Sequence, residues 1–293
     1  MELDLQPLHP LFAAEARGVD LREAPTPELA RAIHAAMDRY AVLVLRGQAI
    51  DDDGQMAFGR ALGPLEPMPA QVDTHKQRLK HREMVDISNL DVDGSVFDAN
   101  DRRRMFNLGN QLWHSDSSFK ATPAHYSMLH ARVIPPEGGE TEFADTRAAW
   151  DALPAAMQAR LLPLVGDHSL IYSRALLGFD AFTAAERELF APVPQRLVRR
   201  HPGSGRLCLY LSSHIGTLHG MPRPEAMMLL RDLTEHATRP EFVYRHTWQV
   251  GDLVIWDNRP TLPRGRAYDD TRHKRDMRRV TLMDSAPTLE QPQ

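Results

Sequence analysis

Apolar residues recur along the chain at two different spacings, and these spacings predict the order of its first elements. In residues 25–40 they fall at helical intervals, with Thr26 placed to cap the helix and Pro27 at its first position. Residues 41–47 form a short apolar run, interrupted only by Arg46, that ends in glycine, which is the pattern of a buried strand. Residues 53–62 return to helical spacing. The chain is therefore expected to begin with a helix, a strand and a second helix.

The second half of the chain is dominated by short apolar runs separated by Gly, Pro and Asp. Strands are predicted at residues 125–134, 141–145, 195–201, 206–212, 242–248, 252–258 and 278–284. Helical spacing returns only in residues 146–164 and 224–236. This pattern predicts a mainly β fold with peripheral helices, a double-sheet jelly roll rather than alternating β-α-β units. The sequence shows no internal repeat and no clear boundary, so residues 1–293 are expected to form a single domain.

Residues 66–104 interrupt the regular pattern. They are polar and irregular, and a strand is predicted among them only at residues 84–90. A polar stretch of this length inside a domain is typical of a binding loop or a lid. We therefore expect this segment to cover a functional site.

Composition narrows the class of protein. Of the 293 residues, 42% are hydrophobic and 25% are charged, as in ordinary globular proteins. The net charge of −4 gives no reason to expect nucleic acid or an anionic membrane as a partner. No apolar run approaches the ~18 residues of a transmembrane helix, and the N-terminus is acidic where a signal peptide is basic. Cys208 is the only cysteine, so a protein of the reducing cytoplasm is expected.

The most informative short motif is QLWHSDSSF, residues 111–119, in which His114 and Asp116 stand two residues apart. In a β-strand such residues point to the same face, so an imidazole and a carboxylate would converge on one point. They would supply two of the three protein ligands in a facial triad of two histidines and one carboxylate, which leaves positions on Fe(II) open. Taken alone, the motif also fits a His and an Asp that only hydrogen-bond to each other.

Three further residues are candidates for binding an acid. Thr141 places a hydroxyl at the start of a strand, directly after a glycine turn. Arg275 and Arg279 stand four residues apart beside the last predicted strand, and each could bind a carboxylate in bidentate fashion. On spacing alone, Thr141 is better explained as an ordinary strand threonine and the two arginines as a solvated basic face.

Taken together and in this order, the motifs resemble the taurine dioxygenase family of Fe(II)/2-oxoglutarate-dependent dioxygenases, and within it the 2,4-dichlorophenoxyacetate branch. The similarity runs nearly from end to end. It includes the blocks LHPLFAAE, VLVLRGQ, FGRALGPLE, DISNLDVDG, NQLWHSDSSF, HYSML, GGETEFADTRAAWDALP, HATRPEFVYRH and WQVGDLVIWDNR. The resemblance implies a double-stranded β-helix, which agrees with the predicted strands, and it implies Fe(II), 2-oxoglutarate and O2 as cofactor and cosubstrates.

The same resemblance implies roles for individual residues. His114 and Asp116 match the first two iron ligands. Thr141 matches the residue that hydrogen-bonds the distal carboxylate of 2-oxoglutarate, and Arg275 matches the arginine that forms a salt bridge with it. The family reaction couples the oxidative decarboxylation of 2-oxoglutarate to the hydroxylation of an organic acid.

Further matches concern the substrate. Arg279 corresponds to the arginine that reaches the acidic group of the substrate. Asn110, His201 and His214 stand where relatives place residues around the substrate, although a structural hydrogen bond explains each of the three equally well. The resemblance also implies a homo-oligomer.

One position departs from the family pattern. The resemblance expects the distal iron-binding histidine just before the Arg-Gly-Arg that follows WDNR, and this chain has Pro263 there. Proline carries no side-chain donor, so the triad is left with one His and one Asp. Three explanations remain open: an impaired relative, substitution by His273 or His246, or a recent or introduced change of one base. The intact arginines and the intact His-x-Asp motif favour the last.

Two classes of function follow from these observations. One is a dioxygenase that hydroxylates a small aromatic or aryloxyalkanoic acid, with splitting of the ether to a phenol and glyoxylate, and with activity reduced by Pro263. The other is a non-catalytic protein that binds 2-oxoglutarate or an organic acid. A sulfonate substrate is a third reading, because Arg279 would hold either anion.

Overall fold

A computed structural model describes residues 2–67 and 78–293. Its strands are β1 (Asp4–Pro7), β2 (Ala14–Arg17), β3 (Val42–Leu45), β4 (Met84–Asp86), β5 (Ala124–Val133), β6 (Thr141–Asp145), β7 (Val165–His168), β8 (Val193–Arg196), β9 (Val198–Arg200), β10 (Leu207–Leu209), β11 (Ile215–Leu218), β12 (Val243–His246), β13 (Leu253–Asp257), β14 (Thr261–Gly265) and β15 (Asp276–Met283). Its helices are α1 (Pro27–Tyr40), α2 (Asp52–Leu62), α3 (Arg102–Asn107), α4 (Thr146–Asp151), α5 (Ala155–Leu161), α6 (Leu170–Ala175), α7 (Ala184–Leu189) and α8 (Arg223–Ala237). The fold is mainly β with peripheral helices, as the sequence predicts.

The largest sheet has seven strands in the order β1-β2-β3-β13-β5-β15-β4. Only β2 and β3 pair in parallel. Helices α1 and α2 cover the outer face of this sheet and bury Ile33, Met37 and Met56 against Leu43 and Val280. The helix, strand and second helix predicted from the apolar spacing therefore correspond to α1, β3 and α2.

A three-stranded sheet, β12-β6-β14, faces the inner side of the seven-stranded sheet. The two sheets enclose a core that includes Val42, Leu129, Phe143, Tyr244 and Trp256. Two smaller sheets, β11-β7-β8 and β10-β9, pack with helices α4 and α8 around a second core. The two facing sheets bring the ends of β6, β14 and β15 together.

Several predicted elements have different bounds in the structure. The predicted helix over residues 146–164 is two helices, because the chain breaks at Pro154, which cannot donate the backbone hydrogen bond that a continuous helix needs. The strand predicted at residues 84–90 is confined to Met84–Asp86. Strand β14, with Pro263 in its middle, has no counterpart among the predicted strands.

The segment predicted to be a lid covers residues 66–104, and its part 68–77 lies outside the described residues. In the remainder, β4 pairs with β15, and Ile87, Phe97 and Arg104 border a cavity between the facing sheets. None of the helices in residues 2–67 and 78–293 combines the length and the apolar character that crossing a bilayer demands.

Candidate active site

A cavity of about 120 Å³ opens between the seven-stranded sheet and the β12-β6-β14 sheet. All of the site residues predicted from the sequence border it, except His201 and His214. The residues that border it are His114, Asp116, Thr141, Asn110, Arg275 and Arg279. Because these residues come from three separate stretches of the chain, their convergence is a property of the fold and not of sequence proximity.

His114 and Asp116 do converge, although they do not lie in a strand as the motif predicted. The chain is irregular at His114 and turns at Asp116. The backbone N–H of His114 donates to the carbonyl oxygen of Pro263 at 3.1 Å, which ties this segment to β14. His114 Nε2 and Asp116 Oδ1 lie 3.6 Å apart, so the imidazole and the carboxylate meet at one point of the cavity wall.

The imidazole of His114 is oriented by its other nitrogen. Nδ1 lies 2.7 Å from the carbonyl oxygen of Leu112, an oxygen that can only accept, so Nδ1 carries the proton and donates. In the neutral ring Nε2 then has a free lone pair and faces the cavity. This is the arrangement by which metal-binding histidines are held in the correct tautomer.

Asp116 is buried, and each of its carboxylate oxygens accepts one hydrogen bond. Ser127 Oγ donates to Oδ2 at 2.8 Å, and Arg279 Nη1 donates to Oδ1 at 2.7 Å. Burial alone would raise the pKa of Asp116, but the positive charge of Arg279, together with the contacts from His114 and Ser127, outweighs it and holds the pKa well below its usual range. Asp116 is therefore an anion, and Arg279 shares the oxygen that lies nearest to His114.

Asn258 supports this arrangement, and it is not among the site residues predicted from the sequence. Its Oδ1 accepts a hydrogen bond from the backbone N–H of Asp116 at 3.1 Å, and its Nδ2 donates to Ser127 Oγ at 2.9 Å. Asn258 thus holds both Asp116 and the serine that contacts its carboxylate. The only signal for it in the sequence is a polar residue directly after the apolar strand DLVIWD, which by itself does not show what it contacts.

Pro263 lies on β14, opposite Phe143 of β6, and borders the cavity beside His114. It offers the cavity no donor atom from its side chain. In the described parts of the chain, no group of three or more His, Cys, Asp or Glu side chains is placed to hold a metal ion. His114 and Asp116 fit two ligand positions of an iron triad, and no side chain of the described residues is present to fill the third.

The two histidines considered as substitutes do not border this cavity. His246 is fully buried, and its Nε2 and Nδ1 contact Asp252 at 3.0 Å and Tyr244 at 3.1 Å. His273 is exposed on the loop before β15. Neither histidine is therefore placed to supply the missing ligand in this conformation. The ring of His246 is hydrogen-bonded within the core, and His273 faces solvent.

Thr141 and Arg275 also border the cavity. Trp248 Nε1 donates to Thr141 Oγ1 at 3.0 Å, which leaves the hydroxyl hydrogen free to donate to a ligand. The backbone N–H of Arg275 donates to Asn89 Oδ1 at 2.8 Å. No carboxylate within residues 2–67 and 78–293 forms an ion pair with the Arg275 guanidinium, which is half-buried, and burial lowers its pKa, with Tyr268 opposing that effect. A half-buried cation without a counterion favours the binding of an anion.

Two predicted substrate residues lie elsewhere. His201 is fully buried, with Nε2 3.0 Å from Asp257 and Nδ1 2.8 Å from Ser204, so both ring nitrogens are used in a core network. The prediction that His201 contacts the substrate is therefore not supported. His214 does not border the cavity either, but its ring packs edge-on against His114, with 6.2 Å between the ring centres. His214 supports the imidazole and does not face a ligand.

Part of the cavity wall is apolar. Its apolar side chains include Ile87, Leu108, Leu129 and Trp256, and Phe97 from the predicted lid segment. The arginines Arg104 and Arg264 also border it, but they pair with Asp270 and Glu142. Apolar walls with a few fixed polar groups are typical of a small-molecule site.

Comparison with known proteins agrees with this geometry. Residues 4–281 match the family described as Taurine catabolism dioxygenase TauD, TfdA family. The chain therefore belongs to the TauD/TfdA family of dioxygenases, and the resemblance predicted from the sequence is confirmed.

Individual relatives are similar over their full length. The chain is 49% identical over 286 residues to an alpha-ketoglutarate-dependent 2,4-dichlorophenoxyacetate dioxygenase of Cupriavidus pinatubonensis, covering 98% of this chain and 99% of that protein. It is 36% identical over 283 residues to an (S)-phenoxypropionate/alpha-ketoglutarate-dioxygenase of Sphingobium herbicidovorans, covering 92% of each. A crystal structure of AAD-2 in complex with Mn(II) and N-oxalylglycine superposes with a TM-score of 0.94 at 50% identity, covering 98% of this chain and 100% of that one.

Proposed function

We propose that this chain is an Fe(II)- and 2-oxoglutarate-dependent dioxygenase for a small aromatic or aryloxyalkanoic acid, with a metal site weakened by Pro263. The observation that carries the proposal is one cavity that joins the His114–Asp116 pair to the unpaired Arg275 guanidinium beside Thr141. The relatives that act on 2,4-dichlorophenoxyacetate and phenoxypropionate support the class of substrate.

The cosubstrate end of the cavity suits a dicarboxylic acid. A guanidinium can bind a carboxylate through two parallel hydrogen bonds, and the Thr141 hydroxyl is free to donate a third. Binding of a carboxylate is favourable here because Arg275 is half-buried and pairs with no carboxylate of the described residues. We assign Thr141 and Arg275 to the distal carboxylate of 2-oxoglutarate, which leaves the oxo-acid end to point toward His114 and Asp116.

The substrate end suits an aryl acid. Arg279 lies beside the His114–Asp116 pair, and Asn110 borders the same part of the cavity, so both are assigned to the acidic group of the substrate. The apolar residues Leu108 and Leu129 provide a surface for an aromatic ring. A guanidinium recognises a sulfonate by the same hydrogen bonds, so a sulfonate substrate is the alternative within the family.

His114 and Asp116 are the residues that would hold Fe(II), which when bound supplies the centre at which 2-oxoglutarate and O2 react. The third protein ligand is missing at Pro263, and even changes around an intact set of ligands typically cost ~10–100-fold in metal affinity or activity. We therefore expect weak metal binding that is assisted by 2-oxoglutarate, and turnover reduced by at least that factor.

Other features of the proposal concern the whole chain. We propose that the two facing sheets form the double-stranded β-helix of a jelly roll, that residues 1–293 act as one domain, and that the described part of the predicted lid, residues 78–104, closes over the cavity. A homo-oligomer and a cytoplasmic location complete the proposal. The location is supported by the single cysteine, Cys208, which is buried and free.

A non-catalytic binding protein is the rival reading, and it is favoured by one observation, the loss of the third ligand at Pro263. Both readings require the same acid-binding groups. The two readings differ in whether a metal ion binds in the cavity beside the acids.

Two measurements test the proposal. Calorimetric titration with 2-oxoglutarate should show binding that weakens at least tenfold in Arg275→Met, because a hydrogen bond to a charged group contributes ~1.5–3 kcal/mol. Arg272→Met is the matched control, since Arg272 lies three residues away on the same loop, is exposed and pairs only loosely with Asp269 at 3.6 Å. Equal binding by the wild type and Arg275→Met would contradict the assignment of the cosubstrate end.

The second measurement separates an enzyme from a binding protein. Fe(II) and 2-oxoglutarate are added without oxygen while the visible charge-transfer absorption is recorded, and succinate is measured after oxygen is admitted with an aryloxyacetate present. The proposal predicts a weak absorption band and slow succinate release. Binding of 2-oxoglutarate with no succinate at any concentration of Fe(II) would leave the binding protein as the function.

A further inference from the structure

Arg174, on α6, is a second buried cation without a counterion, and it lies outside the cavity. Its exposed fraction is 4%, and its Nε has no hydrogen-bond partner. Nη1 donates to Ser173 Oγ at 3.0 Å, and the guanidinium lies over the ring of Phe106 at 4.4 Å. Across the described ranges, no carboxylate forms an ion pair with Arg174. An unpaired buried charge is costly, and an apolar side chain of similar size would normally be more stable there.

The guanidinium of Arg174 lies directly against the wall of the cavity. A Cβ atom added to Gly109 would lie 2.2 Å from Arg174 Nη1, so the charge fits against Gly109 only because that residue has no side chain. The neighbours of Gly109 on both sides, Leu108 and Asn110, border the cavity. One stretch of backbone therefore separates this positive charge from the space assigned to the substrate.

The charge of Arg174 acts on the same region as that of Arg279. Burial and then the positive charge of Arg279 lower the pKa of Arg174 to about 10, which shows that the two guanidinium groups lie within range of each other's field. Arg174 is still a cation at neutral pH. Its field in this desolvated region is screened far less than that of a surface arginine.

The position of Arg279 explains why a second cation matters. Arg279 Nη1 already donates to Asp116 at 2.7 Å, so an acidic substrate that reaches Arg279 adds a second carboxylate to one guanidinium. The two carboxylates repel each other, and a further positive charge close to both offsets part of this repulsion. Arg174 supplies that charge from behind the wall and needs no contact with the substrate.

We propose that Arg174 is a specificity-determining residue, which selects acids over neutral molecules of the same shape by its field across Gly109. The inference rests on the proposed function, because it assumes that an organic acid binds beside Arg279. It adds a residue that neither borders the cavity nor belongs to the motifs found in the sequence.

The test compares one charged and one neutral ligand. The affinities of phenoxyacetate and of its amide are measured by calorimetry for the wild type, Arg174→Met and Arg174→Lys. Met retains the length and the apolar contact with Phe106 and removes the charge, whereas Lys restores the charge. We expect Arg174→Met to bind the acid about tenfold more weakly and the amide unchanged, and Arg174→Lys to recover most of the affinity for the acid. We also expect Arg174→Met to melt no lower than the wild type.

Arg102→Met is the matched control. Arg102 also lies over an aromatic ring, that of Phe179, at 5.4 Å, but it is exposed and pairs with Glu186 at 2.8 Å. Its substitution should change neither affinity. Gly109→Ala gives an independent perturbation, because its Cβ would displace the guanidinium, and it should weaken acid binding in the same direction.

The outcomes are distinguishable. Equal losses for the acid and the amide in Arg174→Met would mean a structural role and would overturn the inference, as would unchanged binding of both. If the wild type binds neither the acid nor the amide, the proposed function fails and the inference fails with it.

Discussion

At the scale of single residues, Pro263 contributes a backbone contact to the site but no side-chain ligand. Its carbonyl oxygen accepts the backbone hydrogen bond of His114, which positions the imidazole, and any residue at this position would provide this contact. Strand β14 is an edge of its three-stranded sheet in the described chain, and sheet edges are where proline is tolerated. Proline at this position therefore offers no side-chain ligand and keeps the backbone contact that positions His114.

Asp116 offers a test of how the carboxylate and the acid share Arg279. In Asp116→Asn, the charge that holds Arg279 is removed, so its guanidinium becomes available to a substrate. We expect phenoxyacetate to bind several-fold more tightly than in the wild type, and metal binding to be lost. The change is nearly isosteric, and Asn can still accept from Ser127 Oγ.

Fluorescence or calorimetric titration with the acid in the absence of metal measures this effect. Asp284→Asn is the control, because Asp284 pairs with Arg199 at 2.5 Å outside the cavity. Weaker acid binding in Asp116→Asn than in the wild type would show that Arg279 is not the anchor of the acid.

The sequence identified most of the residues at the site, because their types and spacings carry the chemistry. His114, Asp116, Thr141 and Arg275 all border the cavity as predicted. Arg174 was missed because a lone arginine on a short helix has no pattern of its own. For His201 the sequence leaves a substrate contact and a structural hydrogen bond equally open, and the structure shows that core partners take both ring nitrogens.

At the scale of elements, the turn before β6 sets the position of Thr141. Gly138 has φ +73°, and a Cβ there would lie 2.5 Å from the carbonyl oxygen of Ala267. Gly138→Ala should lower the free energy of unfolding by more than about 2 kcal/mol and weaken 2-oxoglutarate binding, since strain in the turn shifts Thr141. Urea unfolding and calorimetry measure the two effects.

Gly220→Ala is the control for backbone strain alone. Gly220 also has φ +73°, but an added Cβ would meet no atom within 4 Å. We expect it to cost only ~1–2 kcal/mol and to leave 2-oxoglutarate binding unchanged. If both variants behave alike, the close approach to Ala267 does not position the site.

Element prediction succeeded where apolar spacing was long and regular, and failed at prolines and short strands. Helix α1 follows the predicted spacing, with Ile33 and Met37 fully buried. Strand β14 was missed because Pro263 and Gly265 within five residues are typical of a turn. Its strand character comes from pairing with β6, which is a tertiary effect that the local sequence does not encode.

At the scale of the whole molecule, buried histidines set the dependence of stability on pH. Burial lowers the pKa of His125 to about 4 and that of His168 to about 3, and it also lowers the pKa of His130 and His246. The unfolded chain takes up protons near pH 6.5 while the folded chain stays neutral at these rings. The unfolded state therefore binds more protons, so stability falls as the pH drops from about 6.5 toward 4.

Thermal melts between pH 4.5 and 7.5 should show this fall. Each such histidine contributes a slope of at most about 1.4 kcal/mol per pH unit in this window. The carboxylates with lowered pKa, such as Asp116, lose their contribution only below about pH 4, which separates the two effects. A melting temperature that stays constant from pH 7 to 5 would mean that these rings are protonated in the folded protein.

If the site is a metal centre that lacks one ligand, its affinity for Mn(II) depends on the residue at position 263. The free Mn(II) signal is followed by electron paramagnetic resonance during titration of the wild type and Pro263→His, each with saturating 2-oxoglutarate. We expect Pro263→His to bind Mn(II) at least about tenfold more tightly, because the introduced imidazole would complete the triad with His114 and Asp116. Equal affinities in the two proteins would show that position 263 does not supply a metal ligand.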